Sequence, residues 1–350
     1  MLNLQSFFNN QSWRKDKMKE ISEKQEGQYQ RDWIGYRPEI RVLDCTVRDG
    51  GLMNDHLFSD DVVKAVYQAC IKAGIDYMEL GYKASKKIFA PQQFGVWKFC
   101  DEDDIRRIVG DNDGNLKLSV MADAERTDYH EDILPKKDSV LDMIRVATYI
   151  HQIPTAIDMI KDAADKGYET TCNLMAVSTV REGQLKSALD ALVETPVGTI
   201  YVVDSFGSLY SEQIRDLTLM FLQYTKSAGK EVGIHTHNNQ QLAYANTLEA
   251  LIQGANRLDA SLAGLGRGAG NCPIELLVGF LHNPKLRLRP LLQCIRDHIE
   301  PMRDKLRWGF GIPYMIMGLL NQHPREAMKF MEETDTKDIV SFFDSILEED

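Results

Sequence analysis

From Pro38 onward, short apolar runs alternate with longer stretches of helical period. The runs that read as strands are Ile40–Cys45, Tyr77–Gly81, Leu116–Met121, Met143–Thr148, Thr170–Ala176, Thr199–Asp204, Val232–His237 and Arg257–Leu262. Between most of them the apolar positions recur at helical spacing, over Asp60–Ala73, Ile157–Lys166, Leu185–Leu192, Glu212–Ser227 and Gln240–Gln253. Several helices close on a glycine, in AGID (73–76), KGYE (166–169), AGKE (228–231) and QGAN (253–256). A glycine there takes the left-handed conformation without steric cost. Strands alternating with helices pair in parallel, and eight of them predict a closed α/β architecture, a TIM (β/α)8 barrel. An open doubly wound sheet is the alternative.

The barrel is expected over residues 39–285. Residues 1–38, rich in Gln, Lys and Glu, read as an N-terminal extension with a helix around Trp13 to Lys24. Past about Leu276 the strand signal stops, and residues 286–350 predict a helical C-terminal module containing Pro324–Glu333 and Ile339–Glu348.

Composition narrows the functional classes. The net charge of −11 opposes nonspecific nucleic-acid binding, which needs a basic surface. It does not oppose a small anionic substrate, because one arginine or a metal reverses the sign inside a pocket. No run approaches the ~20 apolar residues of a membrane span, and the first twenty residues are too polar for a signal peptide. Six cysteines without a CxxC pair make no disulfide framework. A cytoplasmic enzyme is the expectation.

Three motifs carry chemistry. In Gly-Ile-His-Thr-His-Asn-Asn (233–239), His235 and His237 are two apart on the seventh strand, so both face the barrel axis while Ile234 and Thr236 face the helices. They stand at the C-terminal end of the barrel, where active sites of this fold lie. Two imidazoles there are half of a metal site; two hydrogen-bonded core histidines are the alternative. In Asp-Cys-Thr-Val-Arg-Asp-Gly-Gly (44–51), closing the first strand, Asp49 can reach the same point, because strand one neighbours strand eight and strand seven is next. Arg48 beside it adds the positive charge that a developing enolate oxygen requires; a turn with a capping acid is the alternative. In Asp-Ala-Ser-Leu-Ala-Gly-Leu-Gly-Arg-Gly-Ala-Gly-Asn-Cys-Pro-Ile-Glu (259–275), four glycines let backbone approach a ligand, and Asn271 either joins the metal shell or caps a helix over Pro273–Phe280. Weaker candidates at the mouth are Ser205, for a substrate carboxylate, and Glu79 and Tyr82. Asp204 and Cys272 read as structural.

These pieces together resemble the metal-dependent aldolase/lyase superfamily on TIM barrels. It includes 4-hydroxy-2-oxovalerate aldolase, hydroxymethylglutaryl-CoA lyase, and the isopropylmalate and homocitrate synthases. The resemblance covers about residues 40–281, and GIHTHNNQQLAYANTLEALIQGANRLDASLAGLGRGAGNCPIE with the tail WGFGIPYMIMGLLNQHP are most similar to the aldolase. It implies Arg48 for the 2-oxoacid and its enolate, Asp49, His235, His237 and Asn271 for the metal, and Ser205 for the substrate carboxylate. It further implies a divalent cation, Mn²⁺ or Mg²⁺ by the ligand chemistry. A 2-oxoacid and an aldehyde are the implied substrates, a homodimer the implied assembly, and an aldehyde dehydrogenase the implied partner.

One position departs from the aldolase pattern. The histidine expected one residue after Arg-Asp-Gly is Leu52, with His56 four further on. The base is then another group or metal-bound water: His56 is the nearest histidine in sequence, and Tyr82 and Tyr314 are its rivals, each needing a depressed pKa or a relay through water. The cysteine of the coenzyme A lyase loop is also missing, Arg267-Gly268 standing in its place. A condensing synthase using an acyl-CoA and a non-catalytic binding barrel are the competing functions.

Overall fold

The computed structural model describes residues 37–333 and 338–348. The helix expected around Trp13 to Lys24 lies outside the described residues. Eight parallel strands close into a barrel in sequence order: β1 Arg41–Asp44, β2 Tyr77–Tyr82, β3 Lys117–Asp123, β4 Met143–Thr148, β5 Glu169–Leu174, β6 Thr199–Asp204, β7 Glu231–Thr236 and β8 Arg257–Ala260. Pairing of β1 with β8 closes it, Leu43 opposite Asp259. The expected strands are therefore all present, and the open sheet is excluded.

Element ends differ in two informative places. β7 stops at Thr236, and His237 instead bridges Asn271 in an isolated antiparallel pair. β8 stops at Ala260, because Ser261 already belongs to the loop that returns to Cys272. A helix at Glu102–Val109 was not in the expected set; its apolar face is only Ile105, Ile108 and Val109, too short to show a period. Five other connections are helical as expected, over Asp60–Ala73, Ile153–Asp165, Glu182–Val193, Ser211–Thr225 and Ala243–Gln253, while the connection from β3 to β4 holds only the short helix Tyr129–Asp132 and a 3-10 turn. Gly74, closing the first of them, has φ 73°, the left-handed cap its sequence position predicts.

Most apolar burial lies between the barrel and its helices, as with Val63, Val66, Leu118, Ile144, Ile234 and Leu258. The barrel interior is different. Its small apolar cluster, Leu43, Cys45, Tyr77 and Met143, lies against a layer of charge built from Glu79, Arg145 and Asp259.

The C-terminal helices Ile312–Leu319, Arg325–Glu333 and Ile339–Glu348 form their own apolar cluster around Tyr314, Met317, Phe342 and Ile346. They sit on the C-terminal face of the barrel. Asn239 Nδ2 donates to the Tyr314 carbonyl at 2.9 Å, Ser208 Oγ bonds Asn321 Oδ1 at 2.7 Å, and Trp308 Nε1 donates to the Ala263 carbonyl at 3.1 Å. Among the described residues, no helix is long and apolar enough to cross a membrane.

Candidate metal centre

Asp49, His235 and His237 converge, with one ligand atom of each within 4.8 Å of the others, and all three are buried. His235 and His237 face the axis, their rings 5.2 Å apart, while Thr236 turns outward to the Ala243 carbonyl and Thr247. The period-two argument thus holds. Asp49 arrives from the helical turn Thr46–Gly50 that follows β1.

Several observations test whether these groups suit a cation. His235 Nδ1 lies 3.0 Å from Asp259 Oδ2, which fixes the proton on Nδ1 and leaves Nε2 with a free lone pair. This carboxylate–histidine arrangement typically supports metal-binding imidazoles. His237 Nδ1 and Asn271 Oδ1 are buried without a hydrogen-bond partner. Orphaned buried polar atoms are costly unless something binds them. Burial holds the His237 imidazole well below its usual pKa range, so it is neutral and ligand-ready. Burial would raise the Asp49 carboxyl, but the Arg48 guanidinium, His237, His235 and Arg267 hold it well below the usual carboxylate range. Asn271 reaches Asp49 Oδ2 at 2.7 Å through Nδ2. Gly266 is required here: a Cβ would stand 2.3 Å from Asn271 Nδ2 and 2.4 Å from Asp49 Oδ2. The donor set fits a divalent cation.

A chain of buried ion pairs joins the two sides of this centre. Arg48 Nη1 meets Asp49 Oδ1 at 2.5 Å, and Arg48 Nε meets Glu79 Oε2 at 2.7 Å. Glu79 Oε2 also takes Arg145 Nη1 at 2.8 Å, and Arg145 Nη2 meets Asp259 Oδ2 at 2.6 Å. The last carboxylate is the one on His235. The sequence suggested Glu79 as a mouth residue; it lies instead in the interior, fully buried, holding Arg48 and Arg145 together. Arg48 Nη2 is buried and unpartnered, so this guanidinium keeps one donor for a ligand.

The remaining candidates are placed as follows. β2 shifts register against β3 between Glu79 and Tyr82, where a bulge changes the inward side, so Tyr82 turns into the cavity at the mouth. His56, on positive φ of 62°, is 1% exposed and stands edge-on to Tyr82 at 5.4 Å. Its ring covers Gly51, where a Cβ would meet His56 Nδ1 at 2.1 Å. Burial, then Lys98 and Arg48, lower its pKa to about 3. Burial pushes the Tyr82 hydroxyl well above its usual range and that of Tyr314 up to about 12, opposite to the depression a base requires. Tyr314 packs with the C-terminal cluster instead of lining the cavity. Ser205 Oγ accepts the Ala176 backbone N–H at 2.8 Å. Asp204 receives the N–H groups of Ser208 and Leu209, and Cys272 is a buried free thiol.

A cavity of about 350 Å³ opens beside the centre, lined by Leu52, Tyr82, Lys98, Asp123, Arg126 and Arg267, with His323, Arg325 and Met328 contributed by the C-terminal module. Arg267 links it to the metal donors. Its backbone N–H donates to Asp49 Oδ2 at 3.2 Å, and its Nη2 lies 3.5 Å from His237 Nε2. Sequence reasoning noticed Arg267 only as a replaced position; a charged side chain amid glycines was the available signal.

The HMGL-like family model matches residues 39–298. The chain belongs to the HMGL-like family. Among relatives in this family, an oxaloacetate decarboxylase of Mycobacterium tuberculosis is 33% identical over 245 residues, 69% of each chain. A 4-hydroxy-2-oxovalerate aldolase of Rhodococcus opacus is 30% identical over 243 residues, 69% of this chain and 70% of that one. In structure, the N-terminal domain of a Bacteroides vulgatus protein assigned as an aldolase aligns with a TM-score of 0.74 and 28% identity, over 86% of this chain and all of that domain.

Proposed function

We propose that this carbon–carbon lyase of the HMGL-like family acts on a 2-oxoacid, with a divalent cation, Mn²⁺ or Mg²⁺, held by Asp49, His235, His237 and Asn271. The observation that carries the reading is the convergence of these donors beside an Arg48 guanidinium that keeps one unpartnered donor. A cation bound there supplies positive charge at the 2-oxo group, where charge develops as an enolate forms. Arg48 orients the 2-oxoacid and hydrogen-bonds the same developing charge, a contact made in the transition state. In retro-aldol cleavage the C4 hydroxyl proton leaves, the C3–C4 pair flows toward the enolate, and an aldehyde departs. Of the three base candidates, the His56 imidazole is neutral at physiological pH, while both tyrosines are held protonated. Tyr82 in the cavity then serves as a hydrogen-bond donor to the substrate, and Ser205 as a carboxylate contact.

Decarboxylation of a 2-oxoacid is the second reading. It passes through the same enolate yet removes no hydroxyl proton, and Leu52 at the aldolase's histidine position favours it. Deuterium exchange into the pyruvate methyl group with Mn²⁺ tests enolate chemistry. Exchange that disappears in Asp49→Ala supports both readings, and aldehyde release against CO₂ release separates them. Acetyl-CoA turnover without exchange would point to a condensing synthase, and neither activity to a binding barrel.

A further inference from the structure

The cavity holds more positive charge than the enolate chemistry uses. Lys98, Arg126, Arg267 and Arg325 line it against a single carboxylate, Asp123. Arg267 is occupied with the Ser205 carbonyl and His323. The other three cations have no ion pair or hydrogen bond from their charged ends among the described residues. Arg126 and Arg325 are exposed at the cavity's outer side. Lys98 is 8% exposed, its ammonium set over the rings of Phe89, Tyr82 and Phe94 at 4.4, 4.7 and 5.6 Å. Three rings partly repay its lost hydration, but a desolvated ammonium without an acceptor still favours an incoming anion. Arg325 and Met328 also bring the first turn of the helix Arg325–Glu333 to the cavity wall, and a helix N-terminus carries partial positive charge. All this occurs in a chain of net charge −11, so the positive potential is local to this cavity and focuses anions into it.

We infer that the arm of the substrate beyond the breaking bond carries an anionic group, a carboxylate or a phosphate, held by Lys98, Arg126 and Arg325. The identity of that arm as the aldehyde portion rests on the 2-oxoacid reading; the anion site itself does not. A two-carbon neutral aldehyde would leave these cations unpaired and much of the 350 Å³ unfilled. The anion is a binding handle and not a leaving group, because cations around a carboxylate hold it in place and oppose CO₂ loss.

The test uses pyruvate and Mn²⁺ with matched aldehydes. Succinic semialdehyde is set against butyraldehyde, and glycolaldehyde phosphate against glycolaldehyde. One charged aldehyde should exceed its neutral partner about tenfold or more in kcat/KM, the scale of one hydrogen bond to a charged group, and the pair that responds identifies the anion. Arg126→Ala and Arg325→Ala should each raise KM for that aldehyde while leaving kcat and pyruvate methyl exchange unchanged. Equal kcat/KM within both pairs, or variants that slow charged and neutral aldehydes alike, overturns the inference. If wild-type protein shows no methyl exchange, the enolate reading fails, and the anion site is then read by calorimetry with succinate and inorganic phosphate. Binding of either that is lost in the double variant sustains it; binding of neither overturns it.

Discussion

The candidate metal centre and the cavity beside it are both built from charged side chains, and they treat those charges in opposite ways. At the centre, Arg48, Glu79, Arg145 and Asp259 are buried and each has a partner at 2.5 to 2.8 Å. In the cavity, Lys98, Arg126 and Arg325 stand without an ion pair among the described residues. A paired, buried network fixes geometry, because no member can move without leaving an uncompensated charge. Unpaired cations at an opening fix nothing until a ligand arrives. The first arrangement suits the step that a metal-dependent lyase repeats; the second suits the part of the substrate that distinguishes one lyase from another.

Substitutions sharpen this contrast, starting with the strongest. Asp49→Ala should abolish tight metal binding and methyl exchange, a loss exceeding the roughly 10–100-fold typical of outer partners. His56→Ala, if the imidazole is the base, should lower kcat for aldol cleavage by about 10²–10⁴-fold while leaving methyl exchange and metal content intact. Because the His56 pKa is lowered to about 3, its acid limb should lie far below the ordinary histidine range. An unchanged rate removes His56. Arg48→Lys should keep the metal and lose about 10²–10³ in kcat, since lysine retains the charge without the planar fork.

Two further variants separate the regions by what they disturb. Arg145→Met strips Glu79 and Asp259 of their shared partner. Denaturant unfolding should show a loss of about 3–5 kcal/mol, the usual cost of breaking a buried pair. Lys98 should instead affect pH dependence. Burial lowers its pKa; Asp123 and Asp55 oppose that, and Arg126 adds to it. A lysine loses its charge as pH rises, so KM for an anionic aldehyde should climb at a pH below the ordinary 10.5. Lys98→Arg should move that rise upward; a pH-independent KM would remove Lys98 from anion binding.

The same contrast explains what could be read from the sequence. His235 and His237 were legible because two-residue spacing on a strand is local information, and Asp49 because β1 must lie near β7 in a closed barrel. Glu79, Arg145 and Asp259 come from β2, β4 and β8, and only the closed barrel brings them together, so their ion pairs leave no mark in any short window. Lys98 lies on the irregular segment after β2, where no period exists. The bulge that aims Tyr82 inward depends on the pairing with β3, and the burial of His56 depends on the chain reversing at Asp55 and His56, both at positive φ. The helical period of the C-terminal module was readable, but not that His323 and Arg325 would form a wall of the cavity.

The central claim is tested most directly by elemental analysis of purified protein equilibrated with Mn²⁺ and then desalted. The account predicts one Mn²⁺ per wild-type chain, and near-complete loss in Asp49→Ala and His235→Ala with circular dichroism unchanged. Full metal content in both variants would contradict it.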